Sequence, residues 1–262
     1  MLRTRILTAL ILIPLVVGTT LLGGWWLFLL MGGGFILCGH EYFTMVRAGG
    51  YRPERALGVV LVALLLLDAM LGWRQAPLIL VAAVVLPPAW EFRRTDHEGF
   101  LASWALTVLG VLYIGVLGSY LFTLRALPDG AALLGFTLMA TWSSDGAAFG
   151  VGIAMGRRPF FHHISPKKTW EGAIGGVVGA AIAFGVLMSI YGFNPLLSFI
   201  GGIGVGIAAT VGDLTESLIK RQVAVKDSGS LLAGHGGVLD RLDSTFFAVV
   251  FAFYFIQIVG VR

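Results

Sequence analysis

The chain has 262 residues, of which 57% are hydrophobic and only 12% charged, with a net charge of +4. A soluble domain usually carries about 25% charged residues, so an ordinary water-soluble enzyme is excluded, and no nucleic-acid partner follows from the charge because basic residues in so apolar a chain mainly set topology. The single cysteine, Cys38, excludes an internal disulfide and a multi-cysteine metal site and reads as a small buried apolar residue.

Apolar runs of about 20 residues succeed one another from end to end, each long enough to span a bilayer as a helix. They fall at 6–22, 25–46, 56–72, 77–91, 100–124, 131–154, 172–192, 197–221 and 241–260. Only helices and closed barrels satisfy their backbone in lipid, and these runs are too long and too uniformly apolar for alternating barrel strands. The predicted fold is all-α, a polytopic integral membrane bundle of about nine transmembrane helices. The first run, within MLRTRILTALILIPLVVG, resembles a signal peptide. Further spans follow at once without an A-x-A site, so it reads as an uncleaved first helix. The fourth is short, and Pro87 and Pro88 should kink it.

With the N-terminus in the cytoplasm and the chain alternating sides, only Arg74, Arg125 and Arg262 of the 18 Lys and Arg fall outside, leaving 18 − 3 = 15 inside. That bias fixes the orientation and places the larger polar loops, 155–171 and 221–240, on the cytoplasmic side of an inner (plasma) membrane. The expected division is 1–130, packing and anchoring helices, and 131–262, helices carrying the chemistry.

The sixth span holds Asp145 beside Ser143 and Ser144. Glycines 146, 150, 152 and 156 follow, a spacing more often used for helix packing than for a ligand. Lys167 and Lys168 then precede Thr169, Trp170 and Glu171 at the entry to the seventh span, where interfacial anchoring is the plain alternative. His162 and His163 are adjacent, which suits one metal poorly; ordinary interfacial histidines are the expectation.

In the eighth span Asp213, Ser217 and Lys220 recur at i, i+4 and i+7 and share one helical face, with Glu216 beside them. Asp213 lies about 12 Å along the axis from the helix end near Arg221. A carboxylate at a helix centre costs roughly 3 kcal/mol on insertion scales, so Asp213 is expected to pair, bind an ion or face water. Lys220 and Arg221 could equally be interfacial anchors. The ninth span opens with Asp240 and Asp243. Acidic residues there would cap the helix and suit its dipole, but capping does not explain Arg241 between them or Lys226, Asp227 and His235 just upstream. Glycines 234, 236 and 237 allow close approach to a ligand. Carboxylates without cysteines suit Mg²⁺ or Mn²⁺, and carboxylates, lysines and glycine loops together describe a phosphate-handling site. The intramembrane placement points to a lipid substrate.

The stretch SLIKRQVAVKDSGSLLAGHGGVLDRLDS (217–244) resembles the signature of phosphatidate cytidylyltransferases, also called CDP-diacylglycerol synthases; SPKKTWEG (165–172) and GDLTES (212–217) are similar to further motifs of that family. The motifs cover roughly residues 140–250. Ala233 stands where the family commonly has proline. The resemblance implies transfer of the cytidylyl group of CTP to phosphatidate, giving CDP-diacylglycerol and pyrophosphate, in a multi-pass membrane enzyme. It implies a Mg²⁺ (or Mn²⁺) centre on Asp213 and Asp240, with Asp243, Asp227 and Asp145 as further ligands or orienters, Ser217 contributing a hydroxyl, and a second monovalent or divalent cation. Lys220, Arg221, Lys226 and Arg241 would neutralise the phosphates. Lys167 and Lys168 would bind nucleotide or lipid headgroup, Gly236 and Gly237 would line the loop, and His235 would position phosphate. A homodimer follows from family analogy alone. Two other readings share the polar face: a CTP-dependent polyprenol or lipid kinase, and an ion-coupled transporter.

Overall fold

Gly23 and Gly24, both with positive φ (68° and 51°), turn the chain between the first two helices at a point where a side chain would be strained. The computed structural model describes residues 2–229 and 236–259, with side chains from residue 11 onward. Helix α1 is Leu2–Leu22, α2 is Gly24–Ala48, α3 is Arg55–Leu71, α4 is Ala76–Glu91 and α5 is Phe100–Arg125. Then follow α6 (Gly130–Met155), α7 (Trp170–Ile190), α8 (Pro195–Gln222) and α9 (Leu239–Val259). Helices α2 and α5 each contain a π-helical turn, Phe28–Gly32 and Val111–Val116. Helix α4 continues through Pro87 and Pro88 to Glu91. No strand occurs among the described residues; Pro159 and Thr169 form an isolated bridge.

The protein is an all-helical, multi-pass membrane protein. Among the described residues five helices are long and apolar enough to cross a bilayer: α2, α5, α7, α8 and α9. Helical stretches coincide with all nine expected spans, but the other four differ in kind. Helices α3 and α4 have 17 and 16 residues, short of the about 20 a perpendicular crossing needs. Helix α6 has 26 residues but dilutes its middle with Thr137, Thr141, Ser143, Ser144 and Asp145. In α1 the part with described side chains, Ile11–Leu22, is shorter still.

The helices form two compact units. One comprises residues up to Thr123 together with Lys220–Leu242; the other comprises Leu124–Ile219 and the residues from Asp243 on. The division differs from a single cut at residue 130, because the polar segment 220–242 clusters with the N-terminal helices.

In the first unit, Phe35, Tyr42, Phe43, Leu65, Leu66 and Ile114 are buried. Tyr42 and Phe43 meet edge to face with centroids 5.1 Å apart. Small residues let the helices close on these rings: a Cβ on Gly110 would lie 2.5 Å from Tyr42 and 2.6 Å from Phe43. Buried Asp68, near the end of α3, accepts the Gln75 and Ala76 N–H groups at 2.6 and 3.1 Å. It thereby caps α4 and satisfies its own carboxylate.

In the second unit the small-residue contact draws on α7 as well as on part of the α6 glycine set that the spacing predicts. A Cβ on Gly146 or Gly150 would meet nothing within 4 Å, whereas Gly175, Gly176 and Gly179 abut Val151, Ser144 and Ala147. Gly152 and Gly156 do face the start of α7: a Cβ on Gly152 would lie 3.6 Å from Thr169 Oγ1 and 3.8 Å from Gly172 Cα, and one on Gly156 2.8 Å from Thr169 Oγ1. Gly201 and Gly204 on α8 similarly receive Phe255 and Phe251 of α9.

Candidate active site

In the second unit the chain from 156 to 169 folds back on itself. Phe160 N–H donates to Lys168 C=O (2.8 Å) and Trp170 N–H to Arg158 C=O (2.9 Å). Thr169 Oγ1 caps α7 by accepting Gly172 N–H at 3.2 Å, and Phe160 and Ile164 pack on Leu214 of α8. The loop is therefore anchored beside α8, and it delivers Lys168 to Asp213: Nζ and Oδ2 are 2.6 Å apart, with side chains 26% and 36% exposed. The buried charge inferred for Asp213 is thus met by an ion pair, the response expected of a carboxylate on an apolar helix. Lys167 does not share that pairing and is exposed, as are Arg157, Arg158, His162 and His163. Asp145 is exposed on α6, and Ser217 is half-buried on α8. Buried Asp243 accepts the N–H of the following residue, Ser244, at 2.6 Å.

In the first unit the carboxylate of Asp240 is held on all sides. Its Oδ2 accepts Ser228 N–H (3.1 Å), Ser228 Oγ–H (3.0 Å) and Gly237 N–H (2.8 Å), while Lys220 Nζ lies 2.6 Å from Oδ1. The side chains of Lys220 and Asp240 are only 13% and 12% exposed. Gly236, at φ +78°, lies where a Cβ would approach Asp240 Oδ2 to 2.8 Å, so only glycine suits this turn. Asp227, Lys226, Arg221 and Arg241 are exposed around it. His235 and Gly234 lie outside the described residues.

The first backbone donor of α9 does not turn to Asp240 or Asp243. Leu239 N–H donates to Glu41 Oε2 of helix α2 at 2.8 Å, and Ser228 Oγ lies 3.3 Å from the same oxygen. Glu41 is 4% exposed, and its Oε1 takes no hydrogen bond among the described residues. A carboxylate at a helix N-terminus typically gains 0.3–1 kcal/mol, less than the roughly 3 kcal/mol that insertion scales charge an intramembrane carboxylate. Sequence reasoning missed Glu41 although the signal was present. It stands in the middle of GHEYF in the second span, where the argument applied to Asp213 holds equally.

Chemically the two pairs offer hard carboxylate oxygens beside ammonium groups, which is what phosphate transfer needs. Among the described residues no three His, Cys, Asp or Glu side chains gather in a group ready to hold a metal ion. Mg²⁺ does not require one, since it is usually bound by one or two carboxylates with substrate phosphates and water completing the shell. Asp213, open and held through Oδ2 alone, suits that role. Asp240 offers only Oδ1, the oxygen Lys220 holds.

The chain matches the cytidylyltransferase family over residues 3–259. It is 35% identical to a phosphatidate cytidylyltransferase of Synechocystis sp., over 96% of this chain and 95% of that protein. A phosphatidate cytidylyltransferase of Pseudomonas aeruginosa is 34% identical over 96% of both chains. Phosphatidate cytidylyltransferase 5, chloroplastic, of Arabidopsis thaliana is 34% identical over 93% of this chain and 69% of its own length.

Proposed function

The chain belongs to the cytidylyltransferase family, and from that premise we infer its reaction. It transfers the cytidylyl group of CTP to phosphatidate, giving CDP-diacylglycerol and pyrophosphate in phospholipid biosynthesis. The observation that carries this is the match to phosphatidate cytidylyltransferases over 96% of the chain.

In the reaction an oxygen of the lipid phosphate forms a bond to the α-phosphorus of CTP. The bond from that phosphorus to the bridging oxygen breaks, and pyrophosphate leaves with the electron pair. The nucleophile is already ionised near neutral pH, so no general base is assigned. Mg²⁺, when bound, would offset the charge of the phosphates. Asp213 is the carboxylate assigned to hold it and Asp240 the second, with Asp243, Asp145 and Asp227 as nearby ligands or orienters and Ser217 as a hydroxyl donor. A further monovalent or divalent cation completes the proposal. Lys168 and Lys220, each poised on an aspartate, are the ammonium groups that take up phosphate charge. Exposed Lys167, Arg221, Lys226 and Arg241 attract the triphosphate and the lipid headgroup, Gly236 and Gly237 keep the loop close to the ligand, and His235 positions phosphate.

The finer topology belongs to the same proposal. All nine helices cross the membrane, the N-terminus and the site face the cytoplasm, and the membrane is the inner (plasma) membrane; the distribution of Lys and Arg supports this. The protein acts on CTP and a bilayer lipid, without nucleic acid, as a homodimer by family analogy.

The test is a transfer assay on purified protein with phosphatidate and CTP labelled at either the α or the γ phosphate, with and without Mg²⁺. Label from the α position is expected in the lipid, with pyrophosphate released and dependence on the metal. Lipid labelled only from the γ position would make the protein a lipid kinase and end this reading.

A further inference from the structure

We propose that Glu41, on helix α2 of the first unit, is a positioning residue for cytidylyl transfer: it clamps both ends of the polar loop and so holds Asp240 and Lys220 in register. The proposal rests on the cytidylyltransferase reading above. The loop leaves α8 and returns at α9, and Glu41 touches it at both ends. Its Oε2 accepts Leu239 N–H at 2.8 Å, one residue before Asp240. The same oxygen is 3.3 Å from Ser228 Oγ, which in turn reaches Asp240 Oδ2 at 3.0 Å. Ser228 N–H and Gly237 N–H, also on Asp240 Oδ2, close the circuit. A single buried carboxylate thus fixes Leu239, the residue before Asp240, and lies against the hydroxyl whose one proton Asp240 and Glu41 share as alternative acceptors.

Two glycines make room for it. A Cβ on Gly229 would come 2.5 Å from Glu41 Oε1, and one on Gly237 would come 2.5 Å from Oε2. The backbone is pressed onto the carboxylate at both loop ends, with no space for any other residue type. A helix cap alone would need one acceptor on Leu239 N–H. It would not need a second contact at Ser228, nor loop glycines on both sides.

Glu41 touches no substrate in this scheme; it acts through Ser228 and Leu239. Its removal should lower kcat while leaving KM for CTP nearly unchanged, because the exposed cations that attract the nucleotide are untouched. Partners that orient a metal-site ligand typically contribute 10- to 100-fold. Glu41→Ala is expected to lose about that much kcat. Glu41→Gln keeps one acceptor oxygen for Leu239 N–H, but an amide accepts less strongly than a carboxylate. It should fall between wild type and Glu41→Ala.

The experiment measures kcat, KM and thermal midpoint for wild type, Glu41→Ala and Glu41→Gln in detergent. It adds hydrogen–deuterium exchange, comparing peptides over 226–243 with peptides over α3 and α6. Support is a graded fall in kcat at constant KM, with faster exchange confined to 226–243. Wild-type kcat in Glu41→Ala overturns the proposal. So does kcat of Glu41→Gln equal either to wild type or to Glu41→Ala, and so does exchange that rises throughout the chain along with a fallen midpoint. If Glu41→Ala does not fold, Glu41→Gln decides alone: reduced kcat with local exchange supports, wild-type behaviour overturns. Absence of α-label transfer in the wild type would instead strike the functional reading itself, so the two failures remain distinct.

Discussion

The Lys220–Asp240 pair and the Lys168–Asp213 pair have the same 2.6 Å contact, yet their surroundings are opposite. Asp240 is almost enclosed, receives three further donors on one oxygen and is braced by a loop that Glu41 grips. Asp213 is about three times more exposed and is paired with Lys168, which an anchored but open loop delivers. The first arrangement has several contacts that fix it without a ligand, and the second has fewer to give up to one. Preorganised and exchangeable carboxylates are different tools. Transition-state charge is best met by groups that do not have to reorganise, whereas metal and nucleotide must enter somewhere.

The sharpest way to break this comparison is to neutralise each aspartate. Asp213→Asn and Asp240→Asn should both reduce turnover by about 1,000-fold in the α-label assay. They should differ in stability. Asp240→Asn leaves the nearly buried Lys220 beside an uncharged amide and should cost about 3 kcal/mol, since breaking a buried pair at one end is expensive. Asp213→Asn, at a partly exposed pair, should leave the thermal midpoint close to wild type. Equal midpoints, or active Asp213→Asn protein, would erase the distinction.

A smaller effect is expected from Gly237→Ala. The new methyl would collide with Ser228 Oγ and Glu41 Oε2, and overpacking of this sort typically costs about 1–3 kcal/mol. Turnover should fall with it, whereas Gly150→Ala on α6, where a Cβ meets nothing within 4 Å, should be neutral in both measurements. Next comes Asp68→Ala, which removes the cap on α4. A lost cap is worth about 1 kcal/mol, so the midpoint should drop while kcat per folded molecule stays at the wild-type value. That contrast separates a buried carboxylate used for architecture from those proposed for chemistry.

The smallest effect belongs to Asp96, in the loop between α4 and α5. The backbone N–H of Glu98, and then the Arg52 guanidinium, hold its carboxyl below the usual carboxylate range. A depressed pKa means that its contribution is present above the ordinary carboxylate pKa and is lost as pH falls through the lowered one. Asp96→Asn should therefore lower the midpoint at neutral pH, but only slightly, because the Arg52–Asp96 pair is exposed. It should slightly flatten the loss of stability in strong acid, as thermal melts across pH would record.

Much of the helical layout was legible because apolar runs of bilayer length admit one solution, and the run boundaries agree with the helix ends to within a few residues. Asp213 was legible for the same reason, as a charge where charge is costly. The partners were not. Nothing local distinguishes Lys168, which reaches Asp213, from its neighbour Lys167, which does not; the difference arises from the backward fold of residues 158–170. The small-residue stripe was legible only in part: Gly152 and Gly156 face α7 while Gly146 and Gly150 do not, and glycine spacing alone does not say which side of a contact holds the knobs. Glu41 escaped because its partners lie 187 and 198 positions away in the sequence, and no periodicity spans such a distance.

That separation governs how the protein is made. Helix α2 enters the bilayer early in synthesis, with its acid already inside, and must wait for nearly the whole of the remaining chain before Ser228 and Leu239 arrive to cover it. Until they do, Glu41 Oε2 lacks both of the contacts that the finished chain gives it.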